Sequence, residues 1–266
     1  MNMYLHELRS LRKSAVIWTC SIIAIALLYL SLYPGIAKDA AGFKELLAGY
    51  PPAVRAMLGV SLDSITSILG YYSMIITFVV LCGAIQAMNL GVSILSKEAR
   101  ERTADFLLVK PVSRAAIVSA KLLAALTVLL ATDVLYYAVA AILASAVKQA
   151  DYSGRVFFLI NLTLLFIQLI FLSLGVAVSV FFHKIKSVLP ISLGTVFGFY
   201  LIGALIATGK DDGSRFLSPF KYFDYPNIIK NVGYEAHYII TGAAIVVVAI
   251  AVTYFIYGRK DIHAVS

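Results

Sequence analysis

The stretch Val156–Phe182 reads VFFLINLTLLFIQLIFLSLGVAVSVFF and contains no charged residue. About 20 apolar residues, each rising about 1.5 Å in an α-helix, are enough to cross roughly 30 Å of hydrocarbon. Because lipid offers no hydrogen-bond partners, a crossing segment must satisfy its own backbone amides, as a helix does. This stretch therefore predicts a transmembrane helix.

Five other apolar runs of similar length occur in the chain. Together with the first they predict spans at Ser14–Tyr33, Ile68–Leu95, Ala115–Val147, Val156–Phe182, Ser187–Thr208 and Tyr238–Tyr257. Of the 266 residues, 61% are hydrophobic and 14% are charged, whereas a soluble domain has roughly 25% charged residues. We therefore predict an all-α polytopic membrane protein with six transmembrane helices, forming a single domain over residues 1–266.

Lys and Arg are unequally distributed between the two sides of these spans. The side that holds both termini has more of them and also a larger excess over acidic residues. Its cations are Arg9, Arg12, Lys13, Lys97, Arg100, Arg102, Lys110, Arg114, Lys121, Lys184, Lys186, Arg259 and Lys260. Because cytoplasmic loops are enriched in Lys and Arg, we expect both termini in the cytoplasm. The net charge of +8 then reflects membrane orientation and not nucleic-acid binding.

Short helices are also predicted outside the spans. Residues 1–13 are expected to form an amphipathic helix that lies at the membrane interface. Its apolar residues are Met1, Leu5, Leu8 and Leu11, and its polar residues are His6, Glu7, Arg9 and Arg12. In the first outer loop, an apolar stripe at helical spacing comprises Phe43, Leu46, Leu47 and Tyr50. Pro51-Pro52 ends that helix, and a second short helix is predicted to end at Gly59.

The cytoplasmic loop between the second and third spans, residues 96–113, reads SKEARERTADFLLVKPVS. Thr103 can cap a helix, and Asp105 lies in its first turn, where a negative charge is favourable. Pro111 ends this helix, and Ser113 can cap the third span. These signals predict a short cytoplasmic helix of about two turns.

This short helix carries four consecutive apolar residues that would be costly to expose to water. They are Phe106, Leu107, Leu108 and Val109. The helix can lie on the lipid headgroups, with its cations paired to anionic lipid. It can instead lie in the groove of a cytoplasmic partner protein.

The segment Glu98–Arg114, EARERTADFLLVKPVSR, followed by Lys121, resembles the coupling loop of ABC-2-type (type V-like) transporter permeases. The ending Tyr257–Ile262, YGRKDI, is similar to the C-terminal ending of that family. Ser218–Asp224, SPFKYFD, is similar to its outer segment before the last span. The loop departs from the family pattern at Arg102, where the family often has Gly, so the turn into the helix can differ.

The resemblance implies the permease subunit of an ATP-driven exporter in the cytoplasmic membrane of a bacterium or archaeon. It implies two copies of a cytoplasmic ABC ATPase subunit and a second permease copy, identical or closely related. The coupling residues that it implies are Glu98, Arg100, Arg102, Thr103, Asp105, Phe106, Leu107, Leu108, Pro111, Ser113 and Arg114. ATP and Mg²⁺ would bind to the partner, since the sequence has no G-x-x-x-x-G-K-[ST] motif.

Polar residues inside the spans are candidates for lining a transport pathway. They are Gln86, Asn89, Asp133 and Gln168. A lone carboxylate in hydrocarbon is expensive, so Asp133 is expected to face protein or water. It can bind a proton or cation, line the pathway, or stay protonated in an interhelical hydrogen bond. The amides, with Asn161, can instead hold helices together through hydrogen bonds.

An ion-coupled secondary transporter or channel that uses Asp133 is the alternative function. The absence of inverted repeats and of paired Gly- or Pro-broken helices argues against it. No set of catalytic side chains or metal ligands falls on one plausible face. We therefore do not expect an enzyme or a metal site.

Overall fold

The computed structural model describes residues 3–101, 113–182, 185–207 and 212–259, and no strand occurs in this part of the chain. The α-helices are α1 Met3–Lys38, α2 Ala40–Ala48, α3 Pro52–Met57, α4 Ile68–Glu101, α5 Arg114–Val147, α6 Gly154–Phe181, α7 Val188–Ile206, α8 Tyr225–Asn231 and α9 Ala236–Arg259. Two 3-10 helices, Asp212–Leu217 and Pro219–Lys221, precede α8. Helices α1, α4, α5, α6, α7 and α9 are long and apolar enough to cross a membrane. The prediction of an all-α polytopic protein with six spans is confirmed.

The N-terminal segment is helical, as predicted, and its helix is continuous with the first span. Helix α1 runs without interruption from Met3 to Lys38, so the segment continues the first span. No Gly or Pro precedes Pro34 to interrupt it. Glu7 is also buried against Lys121 of α5, and this contact directs the segment into the bundle.

Helices α4 and α6 pack against each other at the centre of the bundle. Two glycines, Gly91 and Gly175, face each other across this contact. A Cβ atom on Gly91 would lie 2.4 Å from the carbonyl oxygen of Leu172, and one on Gly175 would lie 2.7 Å from that of Met88. Any larger side chain would push the helices apart, so small residues set the packing distance here. Helix α1 packs on α5, and α9 packs on α6.

The first outer loop contains the two short helices that its sequence predicts. Helix α2 is capped by Asp39, whose carboxylate accepts a hydrogen bond of 3.1 Å from the amide of Gly42. Helix α3 begins at Pro52 and is followed by Gly59, which has a φ of +67°. This left-handed conformation favours glycine and redirects the chain toward α4.

The segment between α7 and α9 folds back over the end of the bundle that the charge distribution predicts to be the outer one. Arg215 forms two hydrogen bonds to Glu235, of 3.2 and 2.6 Å, and its guanidinium lies 4.3 Å from the centre of the Tyr238 ring. Ser218 is buried and donates a hydrogen bond of 2.7 Å to the carbonyl oxygen of Phe199 in α7. These contacts hold the segment against α7 and α9.

Candidate functional site

The predicted coupling loop is described only at its two ends. Most of its residues lie outside the described part of the chain: Arg102, Thr103, Asp105, Phe106, Leu107, Leu108 and Pro111. Glu98 and Arg100 belong to the end of α4, where only the backbone is described. Ser113 caps α5 as predicted, because its Oγ accepts a hydrogen bond of 3.2 Å from the amide of Ala116.

The start of α5 is joined to the end of α9. Arg114 donates a hydrogen bond of 3.2 Å from Nη1 to the carbonyl oxygen of Gly258. One turn further on, the hydroxyl groups of Ser119 and Tyr254 lie 2.7 Å apart. The helix that follows the predicted coupling loop is therefore fixed to the last span at the end that the charge distribution predicts to be cytoplasmic.

Lys121 of α5 connects three helices and has no exposed surface. Its ammonium group donates a hydrogen bond of 2.7 Å to the carbonyl oxygen of Ile94 in α4. It also lies 3.1 Å from Oε1 of Glu7, a residue of α1 that is only 6% exposed. A buried charge is costly unless it is paired and hydrogen-bonded, and both conditions are met here.

We refer to Glu7, Ile94, Arg114, Ser119 and Lys121 as the cytoplasmic junction. Around it, two further hydrogen bonds hold the start of α1 in place. Lys97 Nζ donates to Ser10 Oγ at 2.5 Å, and the hydroxyl groups of Tyr4 and Thr127 lie 3.0 Å apart. Both helices that flank the coupling loop are therefore attached to α1.

A chain of polar side chains crosses the middle of the bundle. We refer to its members, Thr19, Gln86, Thr132, Asp133 and Gln168, as the central polar chain. The hydroxyl groups of Thr19 and Thr132 lie 2.9 Å apart, and Gln86 Nε2 donates to Thr132 Oγ1 at 3.2 Å. Both glutamines are fully buried. These bonds join different helices. The sequence predicts such interhelical hydrogen bonds as the alternative to lining the pathway.

Gln168 lies between Gln86 and Asp133, and its amide can donate a hydrogen bond to either one. With its amide nitrogen turned toward Asp133, it donates to both carboxylate oxygens at 3.0 Å. With the nitrogen turned the other way, it donates to Gln86 Oε1 at 3.4 Å. The first orientation suits an ionised carboxylate, and the second suits a protonated one that donates to the amide oxygen.

A second polar cluster lies further toward the outer side. The Tyr72 hydroxyl lies 2.8 Å from the Tyr136 hydroxyl and donates to Asn161 Oδ1 at 2.7 Å. All three side chains are buried. Asn161 thus holds helices together, while Asn89 is half-buried and lies three residues along α4 from Gln86.

The family that the chain matches is consistent with six membrane-spanning helices. Residues 1–262 match the family model described as ABC-2 family transporter protein. The chain belongs to the ABC-2 transporter family. It is therefore a multi-pass membrane permease of an ABC transporter, a class of transmembrane subunit that in general partners an ABC ATPase. No curated protein matches the chain.

Asp133 of the permease is half-buried and lies within hydrogen-bonding distance of the Gln168 amide. In the described part of the chain it forms no ion pair with a basic side chain. Tyr137, four residues later, lies on the same face of α5. Its ring packs against those of Phe157 and Phe158, with centroids 6.1 and 5.7 Å away.

A cavity of about 360 Å³ lies at the outer end of the permease, between α3, α4, α7 and the segment that folds back over them. Its lining combines apolar side chains with Tyr200, Lys221 and Asp224. Burial lowers the pKa of Lys221, and the nearby Asp224 carboxylate partly offsets that shift. No group of three or more His, Cys, Asp or Glu in the described residues could hold a metal ion.

Sequence reasoning missed the role of Lys121, which it counted among the cations of the cytoplasmic loops. A signal was present, because Lys121 falls within the predicted span Ala115–Val147. A cation at that position requires a partner. The partner, Glu7, was assigned to the polar face of an interfacial helix, so the pair could not be found from either segment alone.

Proposed function

We propose that this permease is the transmembrane subunit of an ATP-driven exporter, forming the substrate pathway and coupling to a separate cytoplasmic ABC ATPase through residues 96–114. The family match over residues 1–262 carries this proposal. It favours ATP over an ion gradient as the energy source. ATP and Mg²⁺ then bind to the partner, two copies of which serve two permease chains.

The coupling helix is proposed to insert into a groove of the ATPase. Phe106, Leu107 and Leu108 are proposed to fill the groove. Thr103 and Pro111 delimit the helix.

The cytoplasmic junction supports a route by which a movement of this loop is transmitted to the membrane-spanning helices. A displacement of α5 would act on α1 and α4 through Lys121, whose ammonium group touches both helices. It would act on α9 through Arg114 and Ser119. The loop is therefore attached to four of the six spans close to its own ends.

A second permease chain is proposed to cover part of the outward apolar surface. On α5, that surface includes Leu123, Leu130, Val134, Leu135 and Ile142, all exposed in the single chain. These side chains lie along one side of the helix and can meet lipid or another apolar helix equally well. A pathway formed between two chains requires part of this surface.

Affinity purification of the tagged permease from its native membranes tests the coupling proposal. We expect an ABC ATPase to co-purify, and the double variant Leu107→Asp with Leu108→Asp to release it, because two carboxylates cannot enter an apolar groove without a large desolvation cost. The matched control is Leu46→Asp with Leu217→Asp, two exposed leucines at the outer end. Retention of the ATPase by the loop variant, or transport by the permease without any ATPase, would overturn the proposal.

A further inference from the structure

We propose that Asp133 binds the cationic group of the transported molecule, an apolar organic cation, and that Tyr137 covers that cation with its ring. This inference rests on the proposed function, because it assigns a substrate class to the pathway of the exporter. It follows from the position of the carboxylate, from the absence of an ion pair to it among the described residues, and from the side chains around it.

Asp133 lies well inside the predicted third span, Ala115–Val147. At about 1.5 Å per residue, it is about 28 Å along α5 from Arg114 and about 21 Å from Val147. It is the only acidic residue in the six predicted spans. A carboxylate at this depth is tolerated where it faces protein, water or a ligand.

The carboxylate is held on one side only. Gln168 can donate to both of its oxygens at 3.0 Å, and the fully buried Gln86 lies directly behind Gln168. Gln86 is held in turn by Thr132. An ionised carboxylate has about four acceptor positions, and one amide group cannot occupy them all. Because Asp133 is partly accessible, the remaining positions can meet a ligand.

The surroundings of Asp133 favour an organic cation over a metal ion. A metal ion such as Ca²⁺ needs six or more oxygen ligands, and this site offers one carboxylate and amide oxygens. The exposed neighbours Leu130 and Val134 are apolar. Tyr137, one turn away, offers an aromatic face of the kind that attracts ammonium groups. A cation with apolar substituents matches both the carboxylate and these walls.

A purely structural carboxyl group makes the opposite prediction. If Asp133 is protonated, Gln168 turns its nitrogen to Gln86, and its oxygen accepts a hydrogen bond from the carboxyl O–H. Such a group has no charge to offer, and Asn could replace it without effect on ligand binding.

Tetraphenylphosphonium and tetraphenylborate separate these two cases, because they share one shape and carry opposite charges. The full-length permease in nanodiscs is titrated with radiolabelled tetraphenylphosphonium. We expect saturable binding, weakened roughly tenfold or more by Asp133→Asn and largely restored by Asp133→Glu. Tetraphenylborate should not compete. Tyr137→Leu should weaken binding by about threefold, in line with the loss of a cation–π contact.

Asp151→Asn is the matched control, because it removes an exposed carboxylate outside the spans. This variant should bind tetraphenylphosphonium as the wild type does. Three results would overturn the proposal: no saturable binding, equal binding by Asp133→Asn, or equal competition by tetraphenylborate. Since no ATPase is present, the outcome is independent of whether the coupling proposal holds.

Discussion

Lys121 and Asp133 are the two charged residues within the predicted spans, and both belong to α5. Lys121 is fully buried and is neutralised by Glu7 of α1. Asp133 is partly accessible and meets an amide, with no ion pair among the described residues. The first charge ties helices together. The second can interact with a molecule that enters from outside the fold.

The two residues also point to different helices. They are twelve positions apart, which at 3.6 residues per turn separates them by about 18 Å and by about a third of a turn. Lys121 therefore contacts α1 and α4, while Asp133 contacts α6. One helix thus has a structural face near the cytoplasm and a candidate binding face in mid-membrane.

The largest effect on stability is expected at the paired charge. Lys121→Ala leaves the Glu7 carboxylate buried without a cation, and removing one partner of a buried pair costs about 3–5 kcal/mol. The unfolding free energy, measured by denaturant titration in detergent micelles, should fall accordingly. An unchanged value would show that the ion pair does not hold the helices.

The double variant Lys121→Met with Glu7→Leu sharpens this test. Removing both charges together leaves no unpaired group in the bundle, so it should be more stable than Lys121→Ala. If Lys121→Ala fails to fold, recovery of a monodisperse protein in the double variant shows equally that the charges of Lys121 and Glu7 depend on each other. A double variant as impaired as the single one would contradict the pairing.

Asp133→Asn is expected to change stability much less, by about 1 kcal/mol at most, because asparagine can still accept a hydrogen bond from Gln168. The same unfolding titration measures it. A loss as large as that of Lys121→Ala would mean that Asp133 is a structural residue like Lys121.

The ion pair between Arg215 and Glu235 provides a more exposed reference outside the spans. Its side chains are 19% and 26% exposed, so water already solvates part of both charges. Glu235→Gln should therefore cost about 1 kcal/mol, well below the cost at Lys121. A cost equal to that of Lys121→Ala would show that burial does not determine how much unfolding free energy is lost when an ion pair is broken.

The parts of the fold that depend only on local sequence could be predicted. Span length follows from hydrocarbon thickness, and the turn at Pro51-Pro52 follows from the missing amide hydrogen of proline. Ser113 was likewise predictable as a cap, because its side chain and its partner Ala116 are three residues apart.

The contacts between helices could not be predicted in this way. Glu7 and Lys121 meet because α1 packs on α5, and a single helix pattern does not say which helix its face will meet. For the same reason, the sequence placed Gln86 and Gln168 in the membrane without indicating that they contact each other. The coupling helix at residues 104–109 stays a prediction.

Asp133 and the coupling loop are proposed to belong to one ATP-driven machine. The most direct measurement is ATP hydrolysis by the co-purified permease–ATPase complex in nanodiscs, with and without tetraphenylphosphonium. The account predicts severalfold stimulation of the wild-type complex, none by tetraphenylborate, and none of the Asp133→Asn complex above its basal rate. Absence of stimulation in the wild type, or equal stimulation in Asp133→Asn, would contradict it.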